Sequence, residues 1–281
     1  MHKKLIFLDI DGTLTEPGSN TPPDSALEAI RSARARGHMV FLCSGRNYAM
    51  LSPLLQYGFD GVVASAGGYV TVGSEVIYDH PMTEEQARTA LESLHSRGVF
   101  CTVETRDVTY GDENLDSFLS GNAGAQGNSE IERWRRALAE SLDIRPMSEY
   151  DGKRPVYKVV IMCLQDEQLQ PARDLLEKDF DFVIQEISDP AHPCLNGELI
   201  NRAFDKGRGV LRICEHLGIP VEDTIGFGDS MNDLEMIRTV AVSVCMANGS
   251  KALQEESDIV CPAVTEDGLA KAFRDLGLCG D

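Results

Sequence analysis

The sequence predicts an α/β protein: a parallel-sheet core interrupted by a second, inserted α/β module. Three observations carry that reading. A strand, helix, strand pattern opens the chain, the character changes near Thr83, and the opening rhythm returns after Gly197. A βαβ unit implies a parallel sheet with its strand-end loops gathered along one edge. At 281 residues the chain is longer than one ordinary domain, so the expected division is a core of 1–82 and 189–281 with 83–188 inserted.

The elements follow in order. Leu5 to Leu8 is a short apolar run that stops on Asp9-Ile10-Asp11-Gly12-Thr13, which reads as a buried strand opening into a tight loop. On a strand, residues two apart point the same way, which would deliver Asp9 and Asp11 to one site. The same residues are also ordinary turn chemistry. Asp24 is the expected cap of a helix carrying Leu27, Ile30 and Ala33 on one face and closed by Gly37. Met39 to Cys43 is a second apolar run, ending at Ser44-Gly45-Arg46, and Phe59 to Ala64 a third, ending at Ser65-Ala66-Gly67-Gly68.

In the insert, Thr83 and Gln86 form a capping box ahead of a stripe of Ala87, Ala90, Leu91 and Leu94. Val99–Val103 reads as a strand, Leu115–Asn128 as a loop, and Ser129 with Glu132 opens a helix carrying Ile131, Trp134 and Leu138. Val156–Cys163 is a strand, followed by a helix with Leu169, Ala172, Leu175 and Leu176 and a closing strand over Phe180–Ile187. The returning core has a helix over Gly209–Leu217 stopped by Gly218, and a strand at Thr224–Phe227 that runs into the turn Gly228-Asp229-Ser230-Met231-Asn232-Asp233. Ala241–Met246 and Asp258–Cys261 are the last expected strands.

Hydrophobic content of 42% and charged content of 25% belong to a globular protein. The net charge of -19 argues against nucleic acid or an anionic membrane as a partner, since both select basic patches. No run of about 18 apolar residues occurs, and the N-terminal apolar run is cut by Asp9 before a signal sequence could form. The eight cysteines (43, 101, 163, 194, 214, 245, 261 and 279) lack any Cys-x-x-Cys spacing and read as reduced thiols of a cytoplasmic protein rather than a zinc site.

Four loops at element boundaries therefore carry polar chemistry: Asp9/Asp11, Ser44, Lys206, and Asp229/Asn232/Asp233. Two carboxylates about 4 Å apart repel by roughly 4 kcal/mol at an effective dielectric near 20, so a third makes a bare cluster untenable. A divalent cation resolves this, and oxygen donors without His or Cys point to magnesium. Taken singly, Ser44 reads as a helix cap, Lys206 as a solvated lysine and Asn248 as a turn cap. Their order along the chain is what sets those readings aside. Arg46 either grips substrate or braces its loop, and stays outside the catalytic set. His192 reads as a loop histidine.

In this order the four segments resemble the motifs of the haloacid dehalogenase (HAD) superfamily, whose core is Rossmann-like, and the insert is similar to the cap of its Cof-type sugar phosphatases. Asp9-Ile10-Asp11-Gly12-Thr13 and Gly228 to Asp233 carry most of the likeness, supported by Val244 to Gly249 and Asp267-Gly268-Leu269-Ala270. The resemblance implies an Mg2+-dependent phosphatase of small phosphorylated metabolites, sugar phosphates first, working through an aspartyl-phosphate on Asp9. It further implies that Asp11 is the acid/base, that Ser44 binds phosphoryl oxygens and that Lys206 neutralises charge. Asp9, the Asp11 carbonyl, Asp229 and Asp233 would serve the metal, and Gly12, Gly45, Asn232 and Asn248 the phosphate site. The insert would select the leaving group, in a monomer or homodimer. The chain departs from that pattern at Ala66, where Cof-type relatives carry asparagine, and in the segment ahead of Lys206. A phosphomutase and a non-catalytic phosphometabolite sensor are the alternatives; accumulation of inorganic phosphate separates the first, and the intact Asp9, Asp11, Lys206 and Asp229 set disfavours the second.

Overall fold

The computed structural model describes residues 3–113, 144–184 and 195–280, which form two compact units, Met1–Asp79 with Phe204–Asp281, and His80–Ala203. The units divide at Asp79/His80 and Ala203/Phe204, against the expected 82/83 and 188/189, the second shift because Leu195–Asn201 pairs with strands of the second unit; the loop at Leu115–Asn128, the helix opened by Ser129, and His192 lie outside the described residues.

The first unit begins with β1 (Leu5–Leu8), β2 (Met39–Cys43), β3 (Gly61–Ala64), β4 (Tyr69–Val72) and β5 (Glu75–Asp79). The second carries β6 (Phe100–Thr105), β7 (Thr109–Gly111), β8 (Ile144–Pro146), β9 (Val156–Cys163), β10 (Phe180–Ile184) and β11 (Leu195–Asn201). The chain then completes the first unit with β12 (Thr224–Gly228), β13 (Val242–Met246) and β14 (Ile259–Cys261).

In the first unit the sheet order is β14-β13-β12-β1-β2-β3-β4-β5. The strands from β14 to β3 are parallel, and β4 and β5 add an antiparallel edge. This is the expected α/β core. β1 lies at its centre and is buried along its whole length, as a parallel strand covered on both faces must be. Phe7 stacks on Phe41 at 5.3 Å, and that face packs against Val210, Ile213 and Cys214 of the helix Lys206–Leu217. Because β1 is in register with β12 (Leu8 beside Phe227) and with β2 (Leu8 beside Leu42), the loops after all three leave the sheet at one end.

Local details differ from expectation where backbone geometry outweighs sequence pattern. Asp24 is the first residue of its helix rather than its cap: Pro23 holds the N-cap position and no side chain caps it. The helix expected from Gly209 starts at Lys206, with the Asp205 carboxylate accepting from the Arg208 N–H at 2.7 Å. That cap turns Lys206 inward. Gly207 permits the fit, since a Cβ there would lie 2.4 Å from both the Glu235 carbonyl oxygen and Thr239 Oγ1.

The second unit is a sheet ordered β10-β11-β9-β6-β7-β8. The helices Glu84–His95 and Gln170–Leu176 pack together over one side, burying Ala87, Ala90, Leu94, Leu169, Ala172 and Leu176 against Val103, Val159 and Ile161. The capping box is present: the Gln86 N–H donates to Thr83 Oγ1 at 3.1 Å and the Thr83 N–H to Gln86 Oε1 at 3.0 Å. Leu175 does not join this core; it is 63% exposed. Among the described residues no helix is long and apolar enough to cross a membrane.

Candidate active site

The centre of the site is Lys206 Nζ, whose side chain is only 1% exposed. It donates to Asp9 Oδ1 at 2.6 Å and to Asp233 Oδ1 at 2.5 Å, and reaches Asn232 Oδ1 at 3.3 Å. A lysine in the first turn of a helix faces the positive end of the helix dipole, so its burial there depends on these two carboxylates. Burial opposes the charged form of Lys206, but Asp233 and Asp9 outweigh it and hold the pKa well above the ordinary lysine value.

Each carboxylate is placed by backbone. Asp9 follows β1 directly, and its N–H donates to the Phe227 carbonyl at 2.9 Å, continuing the β1–β12 ladder by one rung. Asp233 uses its second oxygen to accept from the N–H groups of Asp229 and Ser230, at 3.0 and 3.2 Å, and so closes the turn after β12. Asp229 completes the group: Asp9, Asp229 and Asp233 each offer an oxygen within 4.8 Å of the others.

Two buried carboxylates, Asp9 and Asp233, and the half-buried Asp229 lie around one ammonium, and the excess negative charge shows in the protonation of Asp9 and Asp229. Burial, then repulsion from Asp233, raises the Asp9 pKa to about 7 despite Lys206. Burial, then repulsion from Asp9 and Asp233, raises Asp229 to about 9. Asp229 Oδ1 is buried without a hydrogen-bond partner. An orphaned carboxylate oxygen beside a second buried carboxylate fits a hard divalent cation, which would favour the ionised form of both. Asp233 already has both oxygens engaged, so it braces Lys206 and the turn.

The flanking residues shape the loop after β1. Gly12 has φ +86°, and a Cβ there would lie 2.3 Å from Asp229 Oδ2. Asn248 ties this loop down, donating to the Gly12 carbonyl at 2.8 Å while its Oδ1 accepts from the Val264 N–H at 2.9 Å. Ser44 lies at the end of β2 and is buried; its Oγ accepts from the Arg46 N–H at 3.2 Å, and Gly45 follows it in the same loop.

The sequence argument for Asp11 requires correction. β1 ends at Leu8, so Asp9 and Asp11 are not two apart on a strand, and alternation does not set their directions. Asp11 is held instead by Arg46, through Nε to Oδ2 at 2.8 Å and Nη2 to Oδ1 at 2.7 Å, with the Gly18 N–H also donating to Oδ1 at 2.8 Å. Arg46 is the functional candidate that sequence reasoning set aside. Its only signal was its place two residues after Ser44.

The family model described as haloacid dehalogenase-like hydrolase matches residues 6–273. The Bacillus subtilis (strain 168) protein YkrA is 30% identical over 99% of both chains. The 5-amino-6-(5-phospho-D-ribitylamino)uracil phosphatase YwtE of the same organism is 26% identical, over 95% of this chain and 96% of its own. Among solved structures, the HAD subclass IIB sugar phosphatase BT4131 superposes with a TM-score of 0.76 at 24% identity, covering 98% of this chain and 100% of that one. That likeness concerns the fold.

Proposed function

The chain belongs to the haloacid dehalogenase-like hydrolases and is a phosphatase of small phosphomonoesters; from that premise we propose that it works through an Asp9 phosphoenzyme, with Mg2+, on sugar phosphates. The observation that carries the proposal is the buried Lys206 joined to Asp9, beside an Asp229 oxygen without a partner.

In the first step an Asp9 carboxylate oxygen attacks phosphorus. The Asp9 O–P bond forms, the ester P–O bond breaks, and Asp11 gives its proton to the departing oxygen. In the second step water attacks the same phosphorus, its proton passes to Asp11, and Asp9 and inorganic phosphate are released. Phosphoryl transfer asks mainly for alignment and for neutralisation of oxygen charge. Lys206 neutralises Asp9 and the phosphoryl oxygens. Ser44 Oγ and the loop backbones at Gly12 and Gly45 receive those oxygens, Asn232 orients the Lys206 ammonium, and Asn248 holds the Gly12 loop.

Asp9 and Asp229, with the Asp11 carbonyl, would hold Mg2+, which when bound supplies further charge neutralisation and alignment. The second unit sets which phosphomonoester is accepted. The names of YwtE and BT4131 support a polyhydroxylated, sugar-type leaving group. Phosphate release from a panel of sugar, nucleotide and cofactor phosphates, with Mg2+ or with chelator, tests the reading beside Asp9→Asn. Expected is Mg2+-dependent release, strongest with sugar phosphates, that the variant abolishes; chelator-insensitive release, or release by Asp9→Asn, overturns it.

A further inference from the structure

Arg46 has no part in the steps above, yet its side chain is 3% exposed and two of its side-chain nitrogens donate to one catalytic group. Nε and Nη2 grip the two oxygens of Asp11 as a fork, Nη1 donates to Asn20 Oδ1 at 2.6 Å, and Nη2 also reaches the Ser19 carbonyl at 3.3 Å. Asn20 and Ser19 therefore anchor the guanidinium, and the guanidinium anchors the carboxylate. The planar fork matters because it fixes rotation as well as distance; a lysine ammonium in its place would attract the carboxylate without orienting it. With Nε and Nη2 on Asp11 and Nη1 on Asn20, the buried guanidinium is engaged by its own protein, which favours bracing over gripping substrate, the two roles left open by the sequence.

We propose that Arg46 is the positioning residue of the acid/base: it sets the orientation of the Asp11 carboxyl and acts on the reaction only through Asp11. The inference rests on the assignment of Asp9 as nucleophile and Asp11 as acid/base. The fork fixes the plane and direction of the two Asp11 oxygens, one of which takes the proton of the attacking water. To protonate a leaving oxygen, a protonated Asp11 gives up one arm of the fork, since an O–H is a donor facing a donor.

The test is the dependence of kcat/KM on the leaving group. This constant covers events up to ester cleavage, where p-nitrophenyl phosphate, whose leaving group departs as a stable anion, needs little help from an acid. An alkyl ester such as a sugar phosphate needs a proton. General acid catalysis is typically worth about 10²- to 10⁴-fold. For Arg46→Gln, kcat/KM is expected to fall at least ~10-fold more for the sugar phosphate than for p-nitrophenyl phosphate. In an Asp11→Asn background the same change should leave the ratio of the two esters unaltered.

Arg46→Lys keeps the buried charge balance and is the variant to read if Arg46→Gln folds poorly. It should retain the aryl-ester rate and show the same selective loss in smaller degree. Equal losses on both esters, or a change of ratio that persists in the Asp11→Asn background, would overturn the proposal. Aryl-ester turnover by the unsubstituted protein, and its loss in Asp9→Asn, tests the underlying assignment separately.

Discussion

Gly12 and Asp229 are in contact across the site: the space a side chain would fill at Gly12 is taken by the Asp229 carboxylate, 2.3 Å from the position of a Cβ. Gly12→Ala should therefore strain a backbone at φ +86° and push Asp229 out of place. The expected result is a rise of about 10- to 100-fold in the Mg2+ concentration for half-maximal activity. A magnesium titration of the variant's phosphatase activity checks it.

Lys206→Met removes the ammonium between Asp9 and Asp233 while filling similar space. Breaking a buried pair from one side leaves uncompensated charge and should cost about 3–5 kcal/mol of stability near pH 8, together with activity. The loss should shrink at pH 5, below the value of about 7 to which burial and Asp233 raise Asp9, because Asp9 protonates instead. Urea unfolding at the two pH values measures the difference.

Stability without metal should fall as pH rises. Asp9 at about 7 and Asp229 at about 9 both lie above their ordinary value of 3.8. Between these limits the folded protein binds protons that the unfolded chain has released. Their contribution is therefore fully present at pH below about 4 and declines as pH climbs through the folded values. Mg2+ favours the ionised carboxylates, so its stabilising effect should grow over the same window. Melting temperatures from pH 5 to 9 with chelator and with Mg2+ should diverge; parallel curves would argue against a carboxylate metal site.

Ala66 sits at φ +55°, between Ser65 at +49° and Gly67 at +106°. A left-handed alanine carries about 1–2 kcal/mol of strain, which asparagine tolerates better because its side chain bonds locally. Ala66→Asn should raise stability by about 0.5–1 kcal/mol, read from the midpoint of chemical denaturation. The asparagine of Cof-type relatives at this position thus has a backbone reason, whatever else it does.

What was legible in the sequence follows from how local each feature is. Met39–Cys43 and Val156–Cys163 were read with the ends they have in the structure, because buried strands are unbroken apolar runs bounded by polar loops. Asp9, Lys206 and Asp229 were legible as strand-end and helix-start residues, and they meet. β11 was not read as a strand: its Asn196, Gly197, Glu198 and Asn201 lack an apolar pattern, and the ladders from β9 and β10 on either side hold it extended. The hairpin of β4 and β5 escaped for a related reason, since β5 is an exposed edge with few apolar demands. The Arg46–Asp11 fork was invisible because it joins residues 35 apart, and only the path of the loop after β1 brings them face to face.

The place of β1 between β2 and β12 also has a consequence for how the protein is made. On the ribosome β1 and β2 emerge early, while β12 follows only after the whole of His80–Ala203 has been synthesised. During that interval the central strand, carrying Asp9 at its end, presents a bare apolar edge of the kind that invites pairing with other chains. Nascent chains stalled before Thr224 should therefore depend on chaperones, and release of the segment through Gly228 should end that dependence.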